Sequence, residues 1–417
     1  MKTRHTRMTA LLLAIALSAA LSACGGGSAP TAAPTPVATL PPKPSPAPTP
    51  TPDPTGDLIA SMTTEEKVGQ LLIAGIQGTE AGVDAKAAIQ THKVGGIILF
   101  QRNLESAGKL VRLINELKAL NSGSIPLFIS VDQEGGTVER TPPEIHSLPN
   151  ALDFGAVDPA RRETVCRTLG ETLGRTCQSL GFNLNFAPVA DIWSNPENTV
   201  IGKRAFGADA ATVVSCVPPV VRGLKSTGTI PVIKHFPGHG DTAVDSHVGL
   251  PVVDKTVEQL EELELLPFRA AIKDGAPAVM VGHILMTRLD EKRPASLSPA
   301  VVDGLLRETL GFEGIVFTDD LTMGAVSQSC GMGEAAVLAV EAGCDQLLIC
   351  HEADNLEAAR TALLDAVKSG RITQERLEQS LRRVLTLKQD FTLTDDPVPT
   401  PDLEELNAAI EALQDMM

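Results

Sequence analysis

The stretch Gly314–Asp320, which reads GIVFTDD, shows the pattern that decides the fold: a short apolar run rich in β-branched residues ends on two carboxylates. Such a run is typical of a strand buried on both faces, as strands of a parallel sheet are. Seven further runs of this kind recur along the chain, at Leu71–Gly75, Val94–Phe100, Pro126–Val131, Phe182–Ala190, Ile230–Phe236, Ala278–His283 and Gln346–Cys350.

Helical patterns lie between these apolar runs, most clearly at Ala107–Leu120, Ala160–Leu180, Thr256–Asp274 and Leu356–Ser369. A capping box of the form Thr63-x-x-Glu66 predicts one more short helix before the first strand. Buried strands that alternate with amphipathic helices indicate α/β structure with a parallel sheet covered on its faces, and eight such units predict a single (β/α)8 TIM barrel. An open, doubly wound sheet is the alternative.

Ionisable residues follow the apolar runs at the point where each run ends. In a barrel of parallel strands the carboxyl ends meet at one rim, and the active site lies there. The sequence therefore predicts a catalytic rim that carries Asp132, Asp191, Lys234, His235, His283, Asp319 and Asp320.

The first 24 residues have the form of a lipoprotein signal sequence. Lys2, Arg4 and Arg7 precede an apolar run over residues 10–20, which is shorter than the roughly 20 residues needed to cross a bilayer. Residues 21–24, LSAC, resemble the bacterial lipobox, whose cysteine becomes the lipidated N-terminus. We therefore expect an extracytoplasmic protein whose lipid anchor on Cys24 binds the membrane. A plain signal peptide is the alternative.

Composition divides the rest of the chain into three parts. Residues 25–56 contain eleven prolines and almost no large apolar side chain, which predicts an extended linker. Residues 57–391 carry the regular alternation and are predicted to form one catalytic domain. Residues 392–417, with three prolines and an acidic end, are predicted to be a C-terminal tail.

The charge and the cysteines exclude some functions and leave others open. A net charge of −16 without a basic stripe argues against nucleic acid as a partner, because that binding depends on neutralising phosphates. No CxxC pair is present, so free, buried thiols are favoured over a disulfide or a zinc site for the six cysteines besides Cys24, at positions 166, 177, 216, 330, 344 and 350.

Asp319 is the clearest candidate for a reacting carboxylate, because it closes a predicted strand at the barrel mouth. An Asp at such a junction also has a structural alternative, which is to cap the helix that follows. Two adjacent carboxylates allow both roles, with Asp319 in the site and Asp320 nearer the cap.

The segment KHFPGHGDTAVDSHVGLP, residues 234–251, predicts a functional loop. Within it Asp245 lies two residues before His247, and a carboxylate next to an imidazole makes an acid suited to near-neutral pH. A metal site is the competing hypothesis for the His and Asp residues of this loop, although its prolines and glycines do not align ligands in advance. A purely structural role is also open, for His239 in particular.

Five segments carry a family resemblance: VDQEGG, NFAPVADI, NPENTVIGKRAFG, KHFPGHGDTAVDSH and GIVFTDDLTM, in this order. Together they resemble the β-N-acetylglucosaminidase branch of glycoside hydrolase family 3, and the resemblance covers the whole domain, residues 56–391. The resemblance implies a nucleophile at Asp319 and a general acid/base at His247, oriented by Asp245. It places sugar-binding residues at Asp132, Arg140, Arg204, Lys234 and His235.

The expected reaction is the hydrolysis of a terminal β-linked N-acetylglucosamine with retained configuration, without a metal or other cofactor. The expected carbohydrate partners are N-acetylglucosaminides, including the cell-wall fragments called muropeptides. Trp193 follows the fourth apolar run, and for this side chain a role in packing is favoured over stacking on a sugar. Three alternatives remain: a different β-glycosidase of the family, a phosphorylase, and a non-catalytic sugar-binding lipoprotein.

Overall fold

The computed structural model of the protein describes residues 53–242, 246 and 249–417. The predicted signal sequence, Cys24 and nearly all of the predicted linker lie outside the described residues, as do Asp245 and His247. Eight strands form one sheet: β1 Leu72–Gly75, β2 Gly96–Ile98, β3 Phe128–Val131, β4 Leu184–Asn185, β5 Ile230–Phe236, β6 Ala278–Val281, β7 Ile315–Asp320 and β8 Gln346–Ile349.

The sheet is a closed barrel in which every strand is parallel to both of its neighbours. Successive strands are adjacent, and β1 pairs with β8 through the register Leu72–Leu347, which closes the ring. All eight predicted apolar runs contain a barrel strand. The predicted (β/α)8 barrel is therefore confirmed, and the open doubly wound sheet is excluded.

Helices cover the outside of the barrel. The predicted helix at Ala107–Leu120 is confirmed in its bounds, and the capping box of Thr63 and Glu66 forms as expected. The segment predicted as one helix over Thr256–Asp274 is two helices, because the backbone leaves the helical region at Leu263. The α-helices are α1 Pro54–Ser61, α2 Thr64–Gly69, α3 Val83–Lys86, α4 Ala107–Leu120, α5 Ala151–Gly155, α6 Pro159–Leu180, α7 Ala210–Ser226, α8 Val257–Glu262, α9 Leu265–Lys273, α10 Gly324–Ser327, α11 Met332–Ala342, α12 Ala353–Ser369, α13 Gln374–Asp390 and α14 Leu403–Gln414. A π-helix over Ala300–Thr309 lies between β6 and β7.

The apolar side chains form two cores. The larger one lies between the strands and the helices. The smaller one fills the barrel, where Phe128 and Phe186 both pack edge-on against Phe317. The interior is thus packed with side chains, as in other barrels of this size, and leaves the rim for chemistry.

The amino end of the barrel is closed by α13 and the residues after it. Lys388 on α13 is buried, and its Nζ donates to the carbonyl of Gly95 at 2.8 Å and to Oε1 of Gln70 at 3.0 Å. The same Nζ lies 4.5 Å from the centre of the Phe128 ring. Burial lowers the pKa of Lys388 to about 7, against a smaller opposing effect of Asp395.

The last 26 residues, predicted as a tail, include a helix that packs on the barrel domain. On α14 the side chains of Leu406, Ile410 and Leu413 are buried, and Asn407 donates to the carbonyl of Glu144 at 3.0 Å. In the described part of the chain, no helix combines the length and the apolar character needed to cross a membrane. The six cysteines there have free thiols, and all but Cys330 are buried.

The buried Lys388 generates a prediction about stability. Its pKa is lower in the folded protein than in the unfolded chain, so the unfolded chain binds more protons between about pH 7 and pH 10. Stability should therefore rise with pH in this window, by up to about 1 kcal/mol per pH unit. We expect Lys388→Met to remove this slope in urea denaturation, whereas the exposed Lys368→Met should keep it. If the free energy of unfolding rose with pH equally in the two variants, the pH dependence would not come from Lys388.

Candidate active site

A cavity of about 360 Å³ opens at the carboxyl end of the barrel. It lies where the sequence predicts the catalytic rim. Its lining includes all six predicted catalytic and sugar-binding residues that the structure describes, namely Asp132, Arg140, Arg204, Lys234, His235 and Asp319. Residues far apart in the sequence are thus brought into one site by the closure of the barrel.

Asp319 lies near the end of β7 and is half-buried in the cavity wall. Its Oδ1 accepts a hydrogen bond of 2.8 Å from the backbone N–H of Asp320. Burial acts to raise the pKa of Asp319, but the nearby His283, His235 and Lys234, together with that N–H, outweigh it and hold the pKa below its usual value. The carboxylate is therefore ionised at neutral pH, as a nucleophile requires.

Asp320 has a different set of partners. Its Oδ1 accepts from the backbone N–H of Thr322 at 3.0 Å and from that of Cys350 at 3.1 Å, and its Oδ2 accepts from the Thr322 hydroxyl at 2.6 Å. Both oxygens are used to fix the turn after β7. Asp319 is thus free to face the cavity. The capping role expected of Asp320 is not what the structure shows, because α10 begins at Gly324 with Met323 as its N-cap residue and has no side-chain cap.

A chain of alternating charges crosses the side of the cavity opposite β7. Asp132 accepts from Lys234 Nζ at 2.5 Å, and the same Nζ lies 2.7 Å from Oε1 of Glu134. Arg204 then donates to both oxygens of Glu134, at 2.7 and 2.8 Å. Two carboxylates and two cations therefore balance each other in a region where Lys234 and Glu134 are nearly inaccessible to solvent.

Glu134 is the centre of this chain. Burial raises its pKa, but the charges of Arg204 and Lys234 outweigh that effect and hold the pKa well below its usual range. Glu134 therefore stays ionised and is unsuited to donate a proton. The sequence analysis did not predict that Glu134 positions Lys234 and Arg204. The glycines of the turn DQEGG after β3 were a signal that the backbone at Glu134 is constrained. Gly136 there has a φ of +58°, and a Cβ on it would lie 2.5 Å from Oδ1 of Asn150.

Asp191, at the predicted end of the fourth run, is a second residue whose function was missed. It is buried, and its Oδ2 lies 2.7 Å from Nδ1 of His235 while its Oδ1 accepts from the backbone N–H of His239 at 2.6 Å. Although burial acts to raise the pKa of Asp191, interactions with both histidines hold it below its usual value. An ionised acceptor makes Nδ1 of His235 the donor, which leaves Nε2 to meet a substrate.

His239 braces the loop that follows β5. Its Nδ1 lies 2.8 Å from the Thr242 hydroxyl, and its Nε2 lies 3.3 Å from the hydroxyl of Ser246. Burial, together with the proximity of His235, lowers the pKa of His239, so the ring is neutral at neutral pH. This geometry supports the structural role that the sequence left open for this histidine.

The other candidate metal ligands of the loop have protein partners. Asp241 pairs with Lys255 at 2.7 Å, and Lys255 also pairs with the buried Glu264 at 2.6 Å. His235 is bound to Asp191. Among residues 53–242, 246 and 249–417, no three His, Cys, Asp or Glu side chains are arranged to hold a metal ion.

The predicted dyad of Asp245 and His247 remains a prediction, because both residues lie outside the described residues. Ser246, which stands between them in the sequence, lines the cavity together with Asp319. Its carbonyl accepts a hydrogen bond of 3.1 Å from the backbone N–H of Ala325 in α10. The chain therefore passes the rim of the site at this position.

Arg140 and Trp193 have contrasting surroundings. Arg140 lines the cavity, where its backbone N–H donates to Gln133 and its Nη1 donates to the carbonyl of Glu139 at 3.2 Å. Trp193 is half-buried, does not line this cavity, and donates from Nε1 to the carbonyl of Asn198 at 3.0 Å. The packing role favoured for Trp193 agrees with this position.

Residues 63–387 match the model of the family described as glycosyl hydrolase family 3 N terminal domain. The chain belongs to glycosyl hydrolase family 3. It is 35% identical over 339 residues to beta-hexosaminidase LpqI of Mycobacterium tuberculosis, which covers 79% of this chain and 84% of that protein. It is 33% identical over 365 residues to beta-hexosaminidase A of Pseudoalteromonas piscicida, but this match covers 78% of the chain and only 61% of that longer protein.

A solved structure shows the same family and fold. The family 3 beta-N-acetylglucosaminidase from Paenibacillus sp. str. FPU-7 matches with a TM-score of 0.79 and 42% identity, over 85% of this chain and 69% of that chain. The predicted membership of family 3 and the predicted glycoside hydrolase are therefore confirmed.

The contacts of Asp191 generate a prediction for this family 3 site. In Asp191→Asn an amide replaces one of two acceptor oxygens, so either His235 or the backbone of His239 loses its partner. We expect kcat/KM for an aryl β-glycoside to fall roughly tenfold to a hundredfold, since an unpaired buried polar group costs about 1–3 kcal/mol. The exposed Asp365→Asn is the control. If both variants retained wild-type rates, Asp191 would have no role in holding the site.

Proposed function

We propose that this protein is a retaining β-N-acetylhexosaminidase that releases terminal β-linked N-acetylglucosamine. The observation that carries the proposal is the ionised Asp319 in a cavity that also presents Asp132, Lys234, Arg204 and His235. Carboxylates and cations arranged in this way suit the hydroxyl groups of a single sugar ring. The family relatives named above as hexosaminidases and N-acetylglucosaminidase support the amide-bearing sugar as substrate.

The first step forms a covalent glycosyl-enzyme. A carboxylate oxygen of Asp319 attacks the anomeric carbon as the bond from that carbon to the leaving oxygen breaks. His247, oriented by Asp245, gives its proton to the leaving oxygen. In the second step His247 takes a proton from water, the resulting hydroxide oxygen bonds to the anomeric carbon, and Asp319 leaves as a carboxylate. Two inversions give retained configuration.

The remaining residues position the sugar. Asp132 accepts hydrogen bonds from hydroxyl groups, while Lys234 and Arg204 donate from fixed positions because Glu134 holds both cations. Arg140 adds a further donor for a hydroxyl or for the acetamide carbonyl. The positive charges also keep Asp319 ionised after water has been displaced.

The proposal is tested by following an aryl N-acetyl-β-glucosaminide by proton NMR while the chromophore is released. We expect the β-anomer of N-acetylglucosamine to form first, and we expect faster hydrolysis of this substrate than of the matched aryl β-glucoside. The α-anomer as the first product would contradict retention. A sugar phosphate that forms when inorganic phosphate is added would show a phosphorylase, and a preference for the glucoside would show another β-glycosidase.

The assignment of His247 predicts a dependence on the leaving group. A sugar leaving group needs a proton as the bond breaks, whereas a dinitrophenolate hardly does. We expect His247→Ala to slow the disaccharide strongly and the dinitrophenyl glycoside mildly, and we expect azide to restore part of the turnover. Asp245→Asn should show a weaker form of the same pattern. If His247→Ala lowered the rate equally for all leaving groups and azide restored none of it, His247 would not be the general acid/base.

We further propose that the protein is a lipoprotein that acts outside the cytoplasm on cell-wall fragments. The lipobox-like residues 21–24 and the proline-rich segment after them support this location. We expect the wild-type protein to fractionate with membranes and to carry lipid on Cys24, detected by mass spectrometry of the N-terminal peptide. Cys24→Ala should lack the lipid, while Cys330→Ala should keep it. A wild-type protein recovered without lipid would contradict the anchor.

A further inference from the structure

Two rings lie side by side at the cavity mouth without a role in the mechanism above. Phe100 follows β2 and His351 follows β8, and both line the cavity. Their ring centres are 5.6 Å apart and their planes differ by 32°. The side chain of His351 is 51% exposed, whereas that of Lys234 on the cavity floor is 2% exposed. The pair therefore lies at the outer end of the site.

Arg102 holds this pair in place across the intervening strand β1. Its Nη2 donates to the carbonyl of Cys350 at 2.7 Å and its Nε donates to the carbonyl of Ile76 at 2.9 Å. Its guanidinium carbon lies 4.6 Å from the centre of the Phe100 ring. A Cβ on Gly75 would lie 2.1 Å from the Cys350 carbonyl oxygen, so only glycine permits this close crossing at the end of β1.

The position of the Phe100–His351 pair indicates which part of the substrate it contacts. The terminal sugar occupies the charged floor, where Asp319 must reach its anomeric carbon, so the leaving group projects toward the mouth. A ring face binds the C–H face of a pyranose by dispersion and by its negative quadrupole. The half-exposed imidazole of His351 has its Nδ1 3.5 Å from Nη1 of Arg102 and its Nε2 3.7 Å from Oδ2 of Asp320. Both contacts are long for hydrogen bonds, so sugar hydroxyls can compete for the two nitrogens.

We propose that Phe100 and His351 form the binding surface for the sugar ring of the leaving group. The enzyme then selects substrates in which N-acetylglucosamine is linked to another sugar over those linked to a simple alcohol. This inference rests on the proposed function, because it takes Asp319 as the reacting group and N-acetylglucosamine as the sugar on the floor.

The test compares two substrates whose leaving groups are alcohols of similar acidity, so that the chemistry is matched. One is the β-1,4-linked disaccharide of N-acetylglucosamine, and the other is trifluoroethyl N-acetyl-β-glucosaminide, whose leaving group has no ring. The measured quantity is the ratio of kcat/KM for the disaccharide to kcat/KM for the trifluoroethyl glycoside. The variants are His351→Ala and Phe100→Leu, and the second keeps an apolar side chain in contact with the core.

We expect the ratio to fall roughly tenfold in each variant, as the loss of one ring contact implies. His146→Ala is the matched control, since the His146 side chain is also 51% exposed but does not line the cavity. It should keep the wild-type ratio. A wild-type ratio in both variants would overturn this inference while leaving the proposed function intact. Failure of the wild-type enzyme to release N-acetylglucosamine from either substrate would overturn both.

Discussion

The site depends on the neutralisation of buried charge at the cavity floor. Lys234 is almost fully buried, and a cation in such a position is tolerated only when carboxylates face it. Asp132 and Glu134 supply these carboxylates. Since Lys234 neutralises only one of the two negative charges, Arg204 balances the other through its ion pair with Glu134. Each member fixes the next, so the donors and acceptors of the cavity floor are held in place by the protein itself. Such preorganisation is how an enzyme lowers the cost of stabilising a transition state.

The barrel makes this arrangement possible. Asp132 follows β3, Lys234 lies on β5 and Asp319 lies on β7, yet all three face one cavity because every strand points the same way. The packed interior supports them from below, where the rings of Phe128 and Phe186 both pack on the ring of Phe317. The charged rim therefore rests on a packed apolar layer, and the loop after β5 is held separately by the hydrogen bonds of His239.

The fold and most of the site were predictable because both are encoded locally. An apolar run marks a buried strand, and the polar residue that ends it marks the rim, as Gly314–Asp320 illustrates. The functions of Glu134 and Asp191 were not predictable in this way, since their partners Arg204 and His235 lie 70 and 44 residues away. The docking of α14 and the break at Leu263 likewise depend on tertiary packing. The roles of Asp245 and His247 still rest on the family resemblance.

The central claim is that Asp319 is the nucleophile of a two-step reaction. The most direct measurement is the mass of the protein and of its peptides after reaction with a 2-fluoro glycosyl donor, which slows the second step more than the first. We expect one covalently bound sugar, found on Asp319, and no label in Asp319→Asn. A label on Asp320 or on another residue would contradict it, as would an unlabelled protein that the same donor inhibits reversibly.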